Sequence, residues 1–265
     1  MPEGHTIHRA ARDQRQMLVG RILDVSSPQG RFMEGAAALD GNICIGIEAY
    51  GKHLFYLFAD GAALHIHLGL FGKFHTAKTP AAEPRGAVRV RMLSATHVVD
   101  INGPNTCEAL DAAAMATLLA RIGPDVLRAD ADKERAWQRI HKSRVAFGQL
   151  LMDQAVMAGV GNIYRTELLW RARLHPQTPG TQISRAMFDA VWEDAIHLLQ
   201  IGVENNAIIT VDNVKKSSSR YGERVNIFDK AACPECAGEI EKFVLATRRV
   251  FVCQACQPLN ATLLE

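Results

Sequence analysis

Two Cys-x-x-Cys pairs, CPEC at 233–236 and CQAC at 253–256 with sixteen residues between them, constrain this chain more than any other feature. Each pair offers two thiolates from one tight knuckle, and four thiolates close a tetrahedron around Zn²⁺. Because every ligand is sulfur, no coordination position stays open for water, so such an ion organises a fold and activates nothing. The intervening FVLATRRVFV alternates in the manner of a strand and must turn back on itself to bring the pairs together. Residues 221 onward therefore predict short strands held by one structural zinc on Cys233, Cys236, Cys253 and Cys256. The same cysteines could form disulfides in an oxidising compartment, but the start has no basic region followed by an apolar stretch that would direct secretion. Cys44 and Cys107 stand alone in apolar surroundings and read as buried thiols.

A length of 265 residues favours two domains, and 48% hydrophobic with 22% charged residues is an ordinary globular balance with a sizeable core. No apolar run approaches the roughly 18 residues that span a bilayer, so the expectation is a cytoplasmic protein with no membrane partner. A net charge of +2 does not announce a nucleic-acid binder, yet it is unevenly spread. Residues 1–132 hold 13 Lys and Arg against 14 Asp and Glu, whereas 133–265 hold 17 against 14. Part of that excess is Lys215, Lys216, Arg220 and Arg224 around the serines 217–219, a stretch suited either to phosphate or to plain solvation.

Along the chain, EGHTIHRAARDQRQMLVG predicts a helix stopped by Gly20. The texture then changes to short runs rich in Ile, Val, Phe and Tyr (ICIGIEAY, HLFYLFADGAALHIHLG, AVRVRMLSATHVVDI), punctuated by DG and NG pairs. To about residue 104 this predicts a β-sandwich or barrel. ALDAAAMATLLARIG, 109–123, predicts a helix ending at Gly123-Pro124, and the polar LRADADKER is the linker. From 133 to 201 the pattern is helical, broken by the glycines of QAVMAGVGN. The expected division is 1–125, a linker at 126–132, 133–220, and 221–265.

The first residues, MPEG, carry chemistry of their own. Removal of Met1 would expose the secondary amine of Pro2, and an α-amino group titrates at roughly 7.7–8.0, so part of it is uncharged near neutrality. Such an amine can attack carbon and settle into an iminium, with Glu3 beside it as a general acid or base. In AGVGNIYRTELLWRARLHP, 158–176, Asn162 stands at the N-cap of an amphipathic helix whose first turn either binds an anion or is simply capped. Arg248 and Arg249 sit near the turn of the cysteine hairpin, facing solvent or phosphate.

MPEG, YGKHLFY around Lys52, the GVGNIY turn and the terminal cysteine hairpin, in this order, resemble the formamidopyrimidine-DNA glycosylase and endonuclease VIII family of bifunctional DNA repair enzymes. The resemblance runs over nearly the whole chain. It implies an α+β architecture: an N-terminal β-sandwich with flanking helices, a helix-two-turn-helix domain and a C-terminal zinc-finger β-hairpin. Damaged double-stranded DNA would lie in the cleft between the halves of a monomer. It implies Pro2 as the nucleophile at C1′ of the damaged nucleotide, Glu3 as its acid/base partner and Lys52 as a basic residue near the scissile phosphates. Asn162 and Arg248 would bind backbone phosphate, Arg249 being the poorer match. HLGLFG, 67–72, resembles the family's void-filling loop, with Leu70 and Phe71 as the wedge.

The chain departs from the purine-repair branch in two places. His5 and Thr6 stand where that branch repeats Pro-Glu, and INGPNTCEAL replaces its Arg-Arg-Phe segment. With the Leu70-Phe71 pair, these departures resemble the endonuclease VIII branch and imply oxidised pyrimidines as substrates. The alternatives are an oxidised-purine glycosylase and a non-catalytic protein that binds damage.

Overall fold

The computed structural model describes residues 2–212 and 220–259, so Met1 and the Lys215-Lys216-serine stretch lie outside the described residues. The chain divides into two compact units, Met1–Arg121 and Ile122–Glu265.

The first unit opens with helix α1 (Gly4–Leu18), which buries Ile7, Ala11 and Leu18 along one face. Eight strands follow: β1 (Arg21–Ser26), β2 (Asn42–Tyr50), β3 (His53–Phe58), β4 (Ala63–His67), β5 (Lys73–Lys78), β6 (Val88–Leu93), β7 (His97–Asn102) and β8 (Thr106–Leu110). They form an antiparallel sheet of order β5-β7-β6-β1-β2-β3-β4-β8. β1 divides its pairing, Arg21 to Leu23 with β2 and Asp24 to Ser26 with β6, so one strand passes from one half of the sheet to the other. Leu54, Tyr56 and Leu64 from one half share an apolar cluster with Val90, Met92 and Val99 from the other and with Ile7 and Leu18 of α1.

Two expectations need correction here. A short helix, α2 (Met33–Leu39), interrupts the β region, burying Ala36 and Leu39. The helix expected over 109–123 is only α3 (Ala112–Arg121). Ala109 and Leu110 belong to β8, where they pair with Leu64 and Ala63 of β4, and Asp111 then caps the helix by accepting from Ala114 N at 2.7 Å. A sheet edge takes residues whose local preference is helical.

The second unit begins helically: α4 (Lys133–Ile140), α5 (Phe147–Leu150), α6 (Asn162–Arg171) and α7 (Arg185–Asn205). Asp132 caps α4 and Ser184 caps α7 through side-chain oxygens. Between α5 and α6 the chain makes two turns braced by Gln154, whose side chain donates to Val160 O and accepts from Gly159 N. Gly159, at φ 95°, needs the freedom of glycine there. The C-terminal part is the hairpin β9 (Glu241–Leu245) and β10 (Arg248–Val252). The architecture is thus α+β: a β-sheet domain with helices, a helical domain and a β-hairpin bearing the cysteines. No helix among the described residues is long and apolar enough to cross a membrane.

Candidate active site and DNA-contacting residues

Pro2 and Glu3 form the entry to α1. Pro2 is half-buried, and Glu3 is fully buried in extended conformation (φ −125°), its carbonyl accepting from Thr6 N at 2.9 Å. A carboxyl withdrawn from water one residue from the chain's second position suits a proton-handling group. His5 is also buried, which lowers its pKa to about 4.

Lys52 occupies the two-residue turn between β2 and β3, closed by the Tyr50–His53 pair, where Gly51 at φ 59° supplies the left-handed corner. Leu70 and Phe71 sit on the loop from β4 to β5. Leu68 anchors that loop in the core, and Gly72 N returns to Leu68 O at 3.1 Å. A Cβ on Gly72 would lie 2.5 Å from Leu68 O, so no other residue closes the loop this way. Phe71 is left 85% exposed and Leu70 42%, an unusual placement for large apolar side chains beside a well-filled core.

In the second unit the structure corrects the role read for Asn162. Gly161 is the N-cap of α6, and Asn162, the first helical residue, makes no capping bond. Its amide instead donates to Arg249 O at 3.0 Å while its Oδ1 accepts from the fully buried Arg165 guanidinium. Arg165 also reaches Gly148 O and Arg249 O, each at 3.4 Å, so one buried cation ties α5, α6 and the hairpin. Arg248 and Arg249 are exposed beside the hairpin turn, and Arg248 lines a cleft of about 350 Å³ with Gln149, Met152, Asp153 and Thr247.

The four hairpin cysteines converge. Their sulfurs all lie within 4.8 Å of one another, with Cys233 and Cys256 at 3.8 Å and Cys236 and Cys253 at 3.4 Å. A tetrahedron with Zn–S bonds of about 2.3 Å has edges of about 3.8 Å, whereas a disulfide needs about 2.05 Å, so the donor set fits zinc. Each knuckle is closed by the backbone: Cys233 O accepts from Ala237 N at 3.0 Å and Cys253 O from Gln257 N at 2.8 Å. Cys44 and Cys107 stand apart, buried and half-buried, with burial pushing their thiols up to about 11 and about 12, which leaves them unreactive.

Three polar residues with structural weight escaped the reading of the sequence. Glu167, fully buried on α6, accepts from Thr210 Oγ1, from Asn226 N and Nδ2, and from the amides of Ile227 and Phe228, at 2.5 to 3.0 Å. Gln257, equally buried, accepts from Cys253 N and donates to Leu174 O. Arg165 ties the hairpin and Gln257 the second cysteine knuckle to the helical part, and Glu167 ties down residues 226–228, which lead into the finger. Arg165 and Glu167 lie in NIYRTELLW, which the fold buries at every position, and nothing in the spacing of that stretch or around Gln257 marks them.

A formamidopyrimidine-DNA glycosylase N-terminal domain model matches residues 1–106, and the helix-two-turn-helix domain model of the same glycosylases matches 122–213. The protein named Endonuclease 8 1 of Mycobacterium tuberculosis is 44% identical over 267 residues, covering 97% of this chain and all of that one. The chain belongs to the formamidopyrimidine-DNA glycosylase and endonuclease VIII family. A formamidopyrimidine-DNA glycosylase of Thermomicrobium roseum is 31% identical over 82% of each chain. The fold matches the Lactococcus lactis enzyme solved with DNA containing an abasic site, at a TM-score of 0.81 and 23% identity over 97% of this chain and all of that one. Family membership makes this chain a DNA glycosylase/AP lyase of base excision repair, with the family's four-cysteine zinc finger.

Proposed function

We propose that this enzyme removes oxidised pyrimidines from damaged duplex DNA as a monomer, using Pro2 as nucleophile, and cuts the strand by successive β- and δ-elimination. The observation that carries this reading is the full-length likeness to Endonuclease 8 1, joined to a chain that begins Pro2-Glu3 with Glu3 buried at the start of α1.

Once Met1 is removed, the uncharged Pro2 nitrogen attacks C1′ of a flipped nucleotide and the damaged base departs. Glu3 moves protons during ring opening. The resulting iminium acidifies the C2′ protons, so loss of one expels the 3′ phosphate, and a second elimination expels the 5′ phosphate. Hydrolysis of the iminium returns the amine. Lys52 holds phosphate near the cut, Leu70 and Phe71 fill the space left by the flipped base, and Arg248 with the remaining Asn162 amide hydrogen binds backbone. The catalytic part would be 1–125, joined by 126–132 to a DNA-gripping 133–220 and the finger 221–265.

Borohydride should trap a covalent protein–DNA adduct on duplex containing dihydrouracil; an N-terminal extension, which acylates the Pro2 nitrogen, should abolish it, and Pro2→Gly, which keeps a free but primary α-amine, should weaken it. Adduct unaffected by both changes would overturn the assignment of Pro2. The likeness to the Thermomicrobium glycosylase favours a second reading, oxidised purines, and an 8-oxoguanine duplex cleaved faster than dihydrouracil would select it.

A further inference from the structure

We propose that Glu108, His65 and His53 form a hydrogen-bonded relay that sets the tautomer of His53 and so positions the adjacent Lys52; this rests on the reading of Lys52 as part of the lyase site. The relay follows from strand register. β3 and β4 pair His53 with His67 and Phe55 with His65, while β4 and β8 pair His65 with Glu108. Alternate residues share a face. These side chains therefore stand opposite Leu54, Tyr56, Leu64 and Ile66, which fill the apolar core.

On that face His65 Nδ1 lies 2.8 Å from Glu108 Oε1, and His65 Nε2 lies 2.8 Å from His53 Nδ1. The His53 and His65 rings lie edge to edge across that bond, their centroids 5.1 Å apart and their planes 19° apart, while His53 meets His67 at 5.0 Å and Phe55 stacks on His65 at 4.9 Å. His65 is 3% exposed, so it has little water to choose instead of these partners.

Proton positions follow from the donors and acceptors. A carboxylate only accepts, so His65 Nδ1 carries the hydrogen. Burial lowers the pKa of His65 despite the opposing pull of Glu108, and it lowers His53 to about 3, with His65, His67 and Lys52 adding to the effect. Both rings are neutral at pH 7. A neutral His65 has a lone pair at Nε2, which must accept from His53 Nδ1–H. His53 is left with an acceptor at Nε2, on the residue next to Lys52. The opposite tautomer would put an N–H donor there, which the nearby positive charge of Lys52, already felt by the His53 ring, disfavours. His67 is held neutral in the same way, by burial first and then by His65 and Lys52.

Long-range ¹H–¹⁵N correlation spectra of histidine-labelled, DNA-free enzyme should show His53 and His65 protonated at Nδ1. Glu108→Ala should move His53 away from that state and slow cutting at a preformed abasic site about tenfold, with KM within about twofold, since displaced positioning groups cost rate. Glu108→Gln keeps an acceptor oxygen and should restore both readouts. His65→Phe keeps the stacked ring without nitrogens and should match Glu108→Ala in rate. An unchanged His53 tautomer in Glu108→Ala, or a changed one with cutting at the wild-type rate, overturns the relay. Full lyase activity in Lys52→Ala would instead remove the reading of Lys52 and leave the spectra untouched.

Discussion

In Met1–Arg121, Pro2 and Glu3 lead into α1, and Lys52, Leu70 and Phe71 stand on turns of a sheet whose aliphatic and aromatic core is continuous from α1 through β7. Lys52, Leu70 and Phe71 can be altered without opening that core. In Ile122–Glu265, the corresponding residues are part of what holds the unit together: Asn162 bonds the hairpin backbone, and Arg165, Glu167 and Gln257 are buried between helix and finger. The finger's own apolar cluster is small, with Trp170, Ile227, Ile240 and Phe251 beside Cys233 and Cys253. A segment of that size lacks the buried area to fold alone and depends on metal and buried polar bonds. On the proposed assignments, one region displays its chemistry on a stable frame, while in the other gripping and folding meet in Asn162.

The largest effect that can test this contrast is loss of zinc. Structural zinc contributes on the order of 10 kcal/mol to small metal-dependent folds. A strong chelator, or Cys256→Ala, should abolish duplex binding and release the hairpin, as read by amide exchange of Val250 and Val252. Amides of β3 and β4 should keep their protection. Loss of protection in both places would break the comparison.

Glu167 comes next. Truncating a buried charged acceptor leaves several donors unsatisfied, and Glu167→Ala should cost about 3–5 kcal/mol. Denaturant unfolding followed by the fluorescence of Trp170, which belongs to the finger cluster, should report the shift. A cost under about 1 kcal/mol would mean that the zinc alone fastens the finger.

This contrast also explains what the sequence could disclose. The cysteine quartet was legible because a metal site imposes local spacing, and the hairpin of β9 and β10 followed from it. The start of α1 and the turn at Lys52 drew notice because Pro-Glu and Gly-Lys set their chemistry in adjacent residues. Glu167 and Arg165 were not, because their partners at Asn226 and Arg249 are distant in the chain and the periodicity of α6 contains no mark of them. The edge strand β8 was missed for a related reason, since only its pairing with β4 overrides the helical composition of Ala109 and Leu110.

Phe71 sharpens the other side of the comparison. Its ring is 85% exposed, so Phe71→Ala should leave the unfolding midpoint unchanged. As a wedge that stabilises the flipped state, it should nevertheless lower base excision about tenfold while affecting cleavage of a preformed abasic site far less, because that substrate has no base to extrude. Equal losses on both substrates would assign Phe71 to general DNA binding.

The smallest expected effect tests whether the hairpin stores strain that the metal and Glu167 must offset. β9 and β10 join through Ala246 and Thr247, both left-handed at φ 51° and 65°, with no glycine at either position. A two-residue turn of this kind favours Asn-Gly, and a β-branched residue fits it poorly. Thr247→Gly should relieve about 1 kcal/mol, and for a protein of this size that raises the unfolding midpoint by about 2–4 °C. The gain should vanish once zinc is chelated, since the hairpin turn is then no longer held in its native conformation. A gain that persists without zinc would show the hairpin forming by its own turn and pairing, and would make the metal a clasp on a preformed element.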